Sequence, residues 1–580
     1  MNKQFFITIL LIVLMSMIGA SAFAQYDDYP IGVPNVNGDM IYYKWTNNHT
    51  ELAVTNPKTG IEEERYVGNI VIPEFVDYNG KTYPVTSIDD NAFYHCFYLT
   101  SITIPNSVKH IGGLAFDGTA WLANQPDGVV YAGKVVLQYK GTMPDNTNIK
   151  LEDGTLGIAI HAFNGCTGLK SITIPNSVTY IGYSAFQNCV GLTSVILPNS
   201  VTYIEDFAFY DCSSLSSITF PNSLLSIGAR VFYGTPWEDN LPDGLVYAGN
   251  VAYKYKGTMP DNTNIKLEDG TLGVAAGAFE GCSGLTSITI PSSVTNIGSS
   301  AFSYCSLTSV TIPNSMKSID HYAFDGCNNL SAITIPNGVT FIGAGVFKNC
   351  SGLTSVTVQC ESTAFNYFND NSCFKNCFDI KDVKFDCQKA SLRSFYVSNI
   401  TTITLSSKVN SCDESLLEGC NHLKDIYCYA PEPPFEYLYN SNLNNVTLNV
   451  PSFYLDVYKA KYGSWGWKAI LPIGGLPSTK LATPTITINK GVLTFDCGTD
   501  GADYLYSITY PESNNHIVGN NVQLPQTFTV SVYAVKDGYE KSDTATCQIT
   551  ISGGLKGDVD GNGVVNVIDH VALSKIILGE

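Results

Sequence analysis

The sequence predicts a parallel-β repeat solenoid with short helical turns, followed by a small all-β sandwich and one acidic loop with a single helix. Three observations carry that reading. A block of 22 or 23 residues recurs through the middle of the chain. Each block is too short to bury its own apolar side, so neighbours must stack to share a core. Beyond residue 475 the period stops, and short alternating strands give way to a run of evenly spaced Asp and Asn.

Taken in order, residues 1–24 read as a secretory signal. Lys3 precedes the apolar stretch FFITILLIVLMSMIGA, and Ala22-Phe23-Ala24 is a small-x-small cleavage site, so the mature chain is expected to begin at Gln25. A secreted or cell-surface location follows. No later stretch is long and apolar enough to span a bilayer. Residues 25–85 read as an N-terminal β cap, in which Asp77-Tyr78-Asn79-Gly80 predicts a tight hairpin turn.

The repeat occupies 86–475, with a degenerate end and a closing cap. LKSITIPNSVTYIGYSAFQNC (169–189) shows one unit whole. Cys marks the phase: Cys166, Cys189 and Cys212 are 23 residues apart, as are Cys282 and Cys305, while Cys305 to Cys327 is 22. Leu-x-x-Ile-x-Ile places Leu and Ile inside a strand and Ser and Thr outside. Pro-Asn turns the chain. Val-x-x-Ile-Gly opens the return path, with Gly expected to supply a positive φ. Glu205 and Asp320 stand where the other units have that Gly. Ala-Phe-x-x-Cys reads as a short helical turn that buries Phe and Cys.

A longer period lies above this one. KGTMPDNTNIKLEDGTLG occurs at 140–157 and again at 256–273, an offset of 116 that Cys166 to Cys282 repeats. A group of coils has been duplicated whole. In each copy Thr119 or Thr235 takes the Cys position, and PDGVVYAGKVVLQYKG or PDGLVYAGNVAYKYKG follows as a hairpin. Both hairpins are expected to project from the same side of the stack.

Composition narrows the function. Charged residues make up 14% of the chain and the formal net charge is −19. With 32 Lys+Arg against 51 Asp+Glu and no basic run, nothing offers phosphates the clustered cations that a nucleic-acid partner requires. The eight His are scattered, and no HExxH, G-x-S-x-G, P-loop or dinucleotide turn is present, so the chain reads as non-catalytic. Of the 17 Cys, eight (Cys96, Cys166, Cys189, Cys212, Cys282, Cys305, Cys327 and Cys350) share one repeat position and read as small buried hydrophobes. Cys373 with Cys377, a pair among Cys412, Cys420 and Cys428, and Cys497 with Cys547 are candidate cross-links.

The outward strand positions form the candidate ligand face. Thr103, Thr173, Thr219, Thr289, Thr311, Thr334 and Thr357 share one slot, broken by Ile196, with Ser predominating two residues earlier. Stacked strands lie about 4.8 Å apart. A nearly uncharged hydroxyl lattice results, interrupted by Lys150 and Lys266. It suits protein or glycan, although Thr also simply suits strands.

The motif IPNSVxxIGxxAFxxC over roughly 86–430 resembles the BspA-like leucine-rich repeat family. That resemblance implies a curved solenoid with a parallel sheet along one face, and adhesion to proteins outside the cell. Residues 476–552 read as alternating strands, and VSVYAVKDGYEKSDTAT resembles the β-sandwich at the C-terminus of chitobiases. In 553–580 the spacing of an EF-hand loop is met: Asp558, Asp560, Asn562, the Val564 carbonyl, Asn566 and Asp569 would ligate calcium around Gly563. Asp at the last position and the missing preceding helix resemble dockerin type I repeats. Dockerins carry two such repeats and this sequence shows one. Val571, Ile576 and Ile577 therefore need a partner surface: a cohesin-like protein, the sandwich, or a second repeat beyond residue 580. Two functions follow. One is an adhesin-like repeat protein that binds extracellular proteins or glycans; the other is a docked accessory subunit of a polysaccharide-degrading assembly.

Overall fold

A computed structural model of the protein describes residues 30–46, 50–57, 66–361, 365, 372–391, 395, 399–414, 416–417, 420–438, 443–473, 482–489, 492–498, 503–509, 527–535 and 542–550. The chain divides into two compact units. The first comprises 1–330, 338–352 and 363–375, and the second 331–337, 353–362 and 376–580. The signal segment 1–24 and the acidic loop 553–580 lie outside the described residues.

The fold is a parallel-β solenoid, and the period sets its register. In the first unit Ser194, Val195 and Ile196 pair in parallel with Ser217, Ile218 and Thr219, so each residue meets its own counterpart one coil on. The family resemblance implied one sheet; the structure has parallel ladders on two sides of each coil. Tyr180–Ile181, Tyr203–Ile204 and Ser226–Ile227 form the second. Both sides alternate apolar and polar residues, and both turn their apolar set inward. Leu192, Val195 and Leu197 are buried from one ladder, Val201 and Ile204 from the return path. Hydroxyls stitch the return path together: Ser200 and Ser223 donate to the carbonyls of Val178 and Val201 in the preceding coils.

The Ala-Phe-x-x-Cys segment is a chain of tight turns and not the expected helical turn. Two residues per coil sit in the left-handed region, as Ser184 (φ 51°) and Asn188 (φ 60°) do around Ala185-Phe186. A right-handed helix cannot pass through them. Backbone bonds between coils replace those of a helix: Phe163 N donates to Ala185 O at 2.7 Å, and Phe186 N to Ala208 O at 2.7 Å. The Phe rings therefore fall into a column. Phe163, Phe186, Phe209 and Phe232 stack at 5.2, 4.9 and 5.6 Å between centroids, and Phe279, Phe302, Phe324 and Phe347 at 5.3, 5.1 and 5.3 Å.

The Cys position carries more than volume. The thiols of Cys189, Cys212, Cys305 and Cys327 donate to the carbonyls of Phe163, Phe186, Phe279 and Phe302, one coil back, at 3.0–3.2 Å. A buried carbonyl is thus satisfied by a weak donor where a larger group would not fit. Thr119 and Thr235 keep that logic within their own coil. Each hydroxyl donates to the Phe116 or Phe232 carbonyl and accepts from the amide of Leu122 or Glu238, capping a four-residue helix. Cys412, Cys420 and Cys428 are free thiols, so the cross-link proposed among them is not made.

The glycine of Val-x-x-Ile-Gly owes its place to close approach and not to a positive φ. Gly112, Gly228 and Gly343 have ordinary backbone angles. A Cβ on any of them would stand 2.4 Å from the backbone nitrogen of Asp90, Asp206 or His321 in the preceding coil. Where Glu205 replaces this Gly, its carboxylate accepts from Tyr183 N at 2.8 Å.

The two duplicated hairpins do not project. Gly128–Ala132 and Val135–Lys140 pair antiparallel, and Val135 and Val136 continue in parallel onto Gly157 and Ile158. Gly244–Ala248 and Val251–Lys256 repeat the arrangement with Gly273 and Val274. Each hairpin is therefore a rung of the return-path sheet, with buried Val136 and Ala252 in register with the inward column of Ile158 and Ile181 or of Val274 and Ile297. Lys140 and Lys256 tie each hairpin to its short helix by donating to carbonyls at its end. Beneath the second hairpin, Glu238 is nearly buried. Its carboxylate accepts from Tyr253 Oη at 3.1 Å and pairs with Lys254 Nζ at 2.6 Å. The corresponding residues of the first copy are Leu122, Leu137 and Gln138.

The N-terminal strands Ile31–Pro34, Met40–Thr46, Glu51–Thr55 and Lys81–Ile88 form one sheet, onto which His110–Ile111 adds in parallel. The predicted hairpin is present: Tyr78 faces Lys81, and Asn79 and Gly80 both have positive φ, as a type I′ turn requires.

In the second unit seven parallel strands run from Ala332–Ile335 to Ala469–Pro472. The helix Leu455–Tyr462 buries Tyr458 and Tyr462 completely, and their hydroxyls donate to the carbonyls of Ala430 and Phe435. Further on, Thr485–Asn489 pairs with Val492–Asp496, and Asp503–Thr509, Thr527–Val535 and Ala545–Thr550 make a three-stranded antiparallel sheet. Among the described residues no helix is long and apolar enough to cross a membrane.

Candidate ligand-binding face

The outward slot of the longer ladder is where the sequence places it. Thr103, Thr173, Thr219, Thr289 and Thr311 of the first unit are exposed. In the second unit Thr334 is exposed and Thr357 half-buried. Period-two alternation is the cause, since Ile172, Ile218 and Ile288 beside them point into the core. Parallel register makes short columns: Lys150 beside Thr173, Ile196 beside Thr219, Lys266 beside Thr289. Alongside run Asn148 with Ser171 and Asn264 with Ser287, each Ser donating to its Asn at 2.5 Å. The face of the first unit thus offers hydroxyl and amide groups with few charges. Lys266 is offset by an exposed pair with Asp269 at 3.6 Å, which contributes little.

In the second unit the column reads Thr334, Thr357, Lys384, Thr404 and Tyr427, and its neighbour Ala332, Ser355, Asp382, Thr402 and Asp425. The uncharged lattice ends there. Among the described residues no three His, Cys, Asp or Glu side chains converge as a metal site. The calcium ligands proposed from sequence, Asp558, Asp560, Asn562, Val564, Asn566 and Asp569, lie outside the described residues.

Sequence reasoning missed a second exposed feature, on the Ala-Phe turn side of the first unit. His161, Tyr183, Phe207, Tyr210 and Tyr233 form a continuous strip, with successive ring centroids 5.5, 5.5, 5.5 and 5.3 Å apart. Tyr183 is 38% and Tyr233 52% exposed. The available signal was that aromatic residues recur at variable turn positions of successive repeats. Burial holds the His161 pKa below its ordinary value, so the imidazole is neutral at pH 7.

Coils that carry Leu, Ile and Phe inward and present hydroxyls outward on a parallel ladder define a leucine-rich repeat solenoid. A family model described as a BspA type leucine-rich repeat region, in six copies, matches residues 81–125, 139–259, 249–372 and 370–460. That is more than half of the chain, and the protein belongs to the BspA type leucine-rich repeat family. No curated protein matches it. Among solved structures, a leucine rich cell surface protein of Faecalibacterium prausnitzii is 26% identical, with 62% of this chain and 95% of that one covered and a TM-score of 0.24. A leucine-rich repeat protein of Bacteroides ovatus is 24% identical, covering 57% and 98%, with a TM-score of 0.21. The pneumococcal vaccine antigen PcpA is 17% identical, covering 65% and 94%, with a TM-score of 0.26.

Proposed function

We propose that this is an exported, non-catalytic repeat protein that binds proteins or glycans at or beyond the cell surface through its solenoid. The observation that carries the reading is the exposed, nearly uncharged Ser/Thr ladder of the first unit, on a member of a leucine-rich repeat family. Such a face gives many weak, directional contacts and no single pocket, which suits an extended partner. The apolar N-terminal stretch with its Ala22-Phe23-Ala24 site supports export. The test uses the full chain immobilised against extracellular-matrix proteins, whole bacteria and mucin glycans. Capture is expected, and it is expected to weaken when Thr219→Asp and Thr289→Asp place charge on the face. Absence of capture from all three sources defeats the proposal.

The C-terminal sequence favours a second reading. The chitobiase-like stretch at 476–552 and the dockerin-like spacing of 553–580 suggest a protein held in a polysaccharide-degrading assembly. In that reading Asp558, Asp560, Asn562, Val564, Asn566 and Asp569 bind calcium, and Val571, Ile576 and Ile577 contact a cohesin-like module. Calcium-dependent capture of such a module, abolished by chelation and by Asp558→Ala with Asp560→Ala, is the expected result. Calcium-independent behaviour of the full chain excludes it.

A further inference from the structure

The aromatic strip on the turn side of the first unit has an internal control, because the chain contains a second copy of the same coils. In that copy Gly277, Ser299, Asp325 and Lys348 replace His161, Tyr183, Tyr210 and Tyr233, and only Tyr322 keeps a ring, at the place of Phe207. The core beneath is unchanged. Phe163, Phe186, Phe209 and Phe232 in one copy stand where Phe279, Phe302, Phe324 and Phe347 stand in the other, all fully buried. The fold therefore does not require rings on this surface.

Their presence carries a cost that the second copy partly avoids. His161 and Phe207 both hold φ at 59°, a conformation unfavourable for a bulky side chain; the second copy has Gly277 at the first of these places, although Tyr322 keeps a φ of 57° at the second. Tyr183 and Tyr233 stay 38% and 52% exposed, so part of each ring gains nothing from burial. Surface aromatics retained against such costs mark a binding surface.

The chemistry of the rim selects the occupant. The strip is one ring wide, and its successive rings are tilted to one another by 88, 64, 59 and 16°. Beside the rings stand Asn164, whose amide bonds His161 Nδ1 at 3.0 Å and Gln187 Oε1 at 3.4 Å, and the Glu205 carboxylate, which accepts from Tyr183 N at 2.8 Å. Rings supply electron-rich faces, and amides and carboxylates supply hydrogen-bond partners for hydroxyls. A pyranose with equatorial substituents presents both complements: a flat C–H face and a rim of hydroxyls. Coils repeat about every 4.8 Å, close to the advance of one sugar along an extended β-linked chain. The nearby Glu205 carboxylate disfavours an anionic polymer. A protein partner would need about 800 Å² of complementary surface per side with a packed centre, which a single row of rings does not offer.

We propose that His161, Tyr183, Phe207, Tyr210 and Tyr233 form a row of mutually tilted stacking sites for a neutral, extended, β-linked glycan. The inference rests on the binding role proposed above and assigns it a site separate from the Thr ladder. The test compares the full-length protein, a strip variant (Tyr183→Ser, Tyr210→Asp and Tyr233→Lys, the residues of the second copy) and a ladder variant (Thr219→Asp and Thr289→Asp). Probes are xylan, mannan and mixed-linkage β-glucan in affinity electrophoresis, and cellohexaose in titration calorimetry. The native protein is expected to bind at least one probe. The strip variant, folded by circular dichroism, is expected to lose affinity by about tenfold or more, and the ladder variant to keep it. Equal binding by the strip variant, or no binding to any probe by the native protein, overturns the proposal. So does a strip that proves necessary only for capture of a protein. Protein capture that is lost in the ladder variant, together with no binding of any glycan probe by the native protein, would leave the general binding role standing while this site falls.

Discussion

Phe186→Ala is expected to destabilise the first unit by about 3–5 kcal/mol, read as a lower urea midpoint and as faster amide exchange in the coils around it. The ring is fully buried between Phe163 at 5.2 Å and Phe209 at 4.9 Å, so truncation opens a void against two flat neighbours that backbone bonds hold in place. Little collapse is possible, because the Phe186 amide is bonded to Ala208 O and the Cys212 thiol to the Phe186 carbonyl. Stability in a solenoid is a sum of coil terms and nearest-neighbour interfaces. The loss therefore falls on the interfaces to the coils before and after, and protease sites within 169–212 are expected to open first. Phe186→Leu, which refills most of the volume, is expected to recover much of the loss. If Phe186→Ala leaves midpoint and exchange unchanged, the Phe column is not what couples the coils.

Much of this architecture is legible in the sequence, for a physical reason. Leu, Ile, Phe and Cys at fixed offsets state directly which atoms face inward, and a 23-residue period states that each must meet its own copy. What a side chain avoids is harder to read than what it buries. Gly112, Gly228 and Gly343 looked like turn glycines, yet they are small because the preceding backbone passes 2.4 Å from where a Cβ would stand. The Ala-Phe-x-x-Cys segment looked helical because its apolar spacing is that of one helical turn. The first left-handed residue of each coil is as varied as Ser184, Phe207 and Arg230 and no residue type announced it, although the second is mostly Gly, Asn or Asp, as at Gly165, Asn188 and Asp211. The hairpins looked like projections because an insertion between coils is normally a loop. Val135 and Val251 reveal themselves as ladder residues only once Gly157 and Gly273 are seen beside them. The Thr slot was visible through simple alternation. The aromatic strip was not, because its members come from three columns of the turn that only the folded coil brings together.

The duplicated block also allows an exchange within one molecule. Glu238→Leu alone is expected to cost about 1–3 kcal/mol, because Tyr253 Oη would be left buried without its acceptor. Burial and the adjacent carboxylate push the Tyr253 pKa well above its ordinary value, so the phenol stays protonated and needs an acceptor throughout the usable pH range. Lys254 contributes less to this loss, since its side chain is 41% exposed and its charge can turn to solvent. The triple change Glu238→Leu, Tyr253→Leu and Lys254→Gln installs the set found at Leu122, Leu137 and Gln138 of the first copy. It removes the buried Glu238 carboxylate and Tyr253 phenol together, and replacing a mutually satisfied buried polar set by packed apolar groups is often neutral or favourable. The triple variant is therefore expected to unfold in urea at or above the midpoint of the native protein, although one of its component changes is harmful alone. Non-additivity of this sign is the signature of a coupled trio. If the three single changes simply sum, Glu238, Tyr253 and Lys254 act independently, and the packing of Trp237 against Phe232 and Tyr253, with centroids 4.9 and 5.4 Å apart, would have to hold the second hairpin by itself.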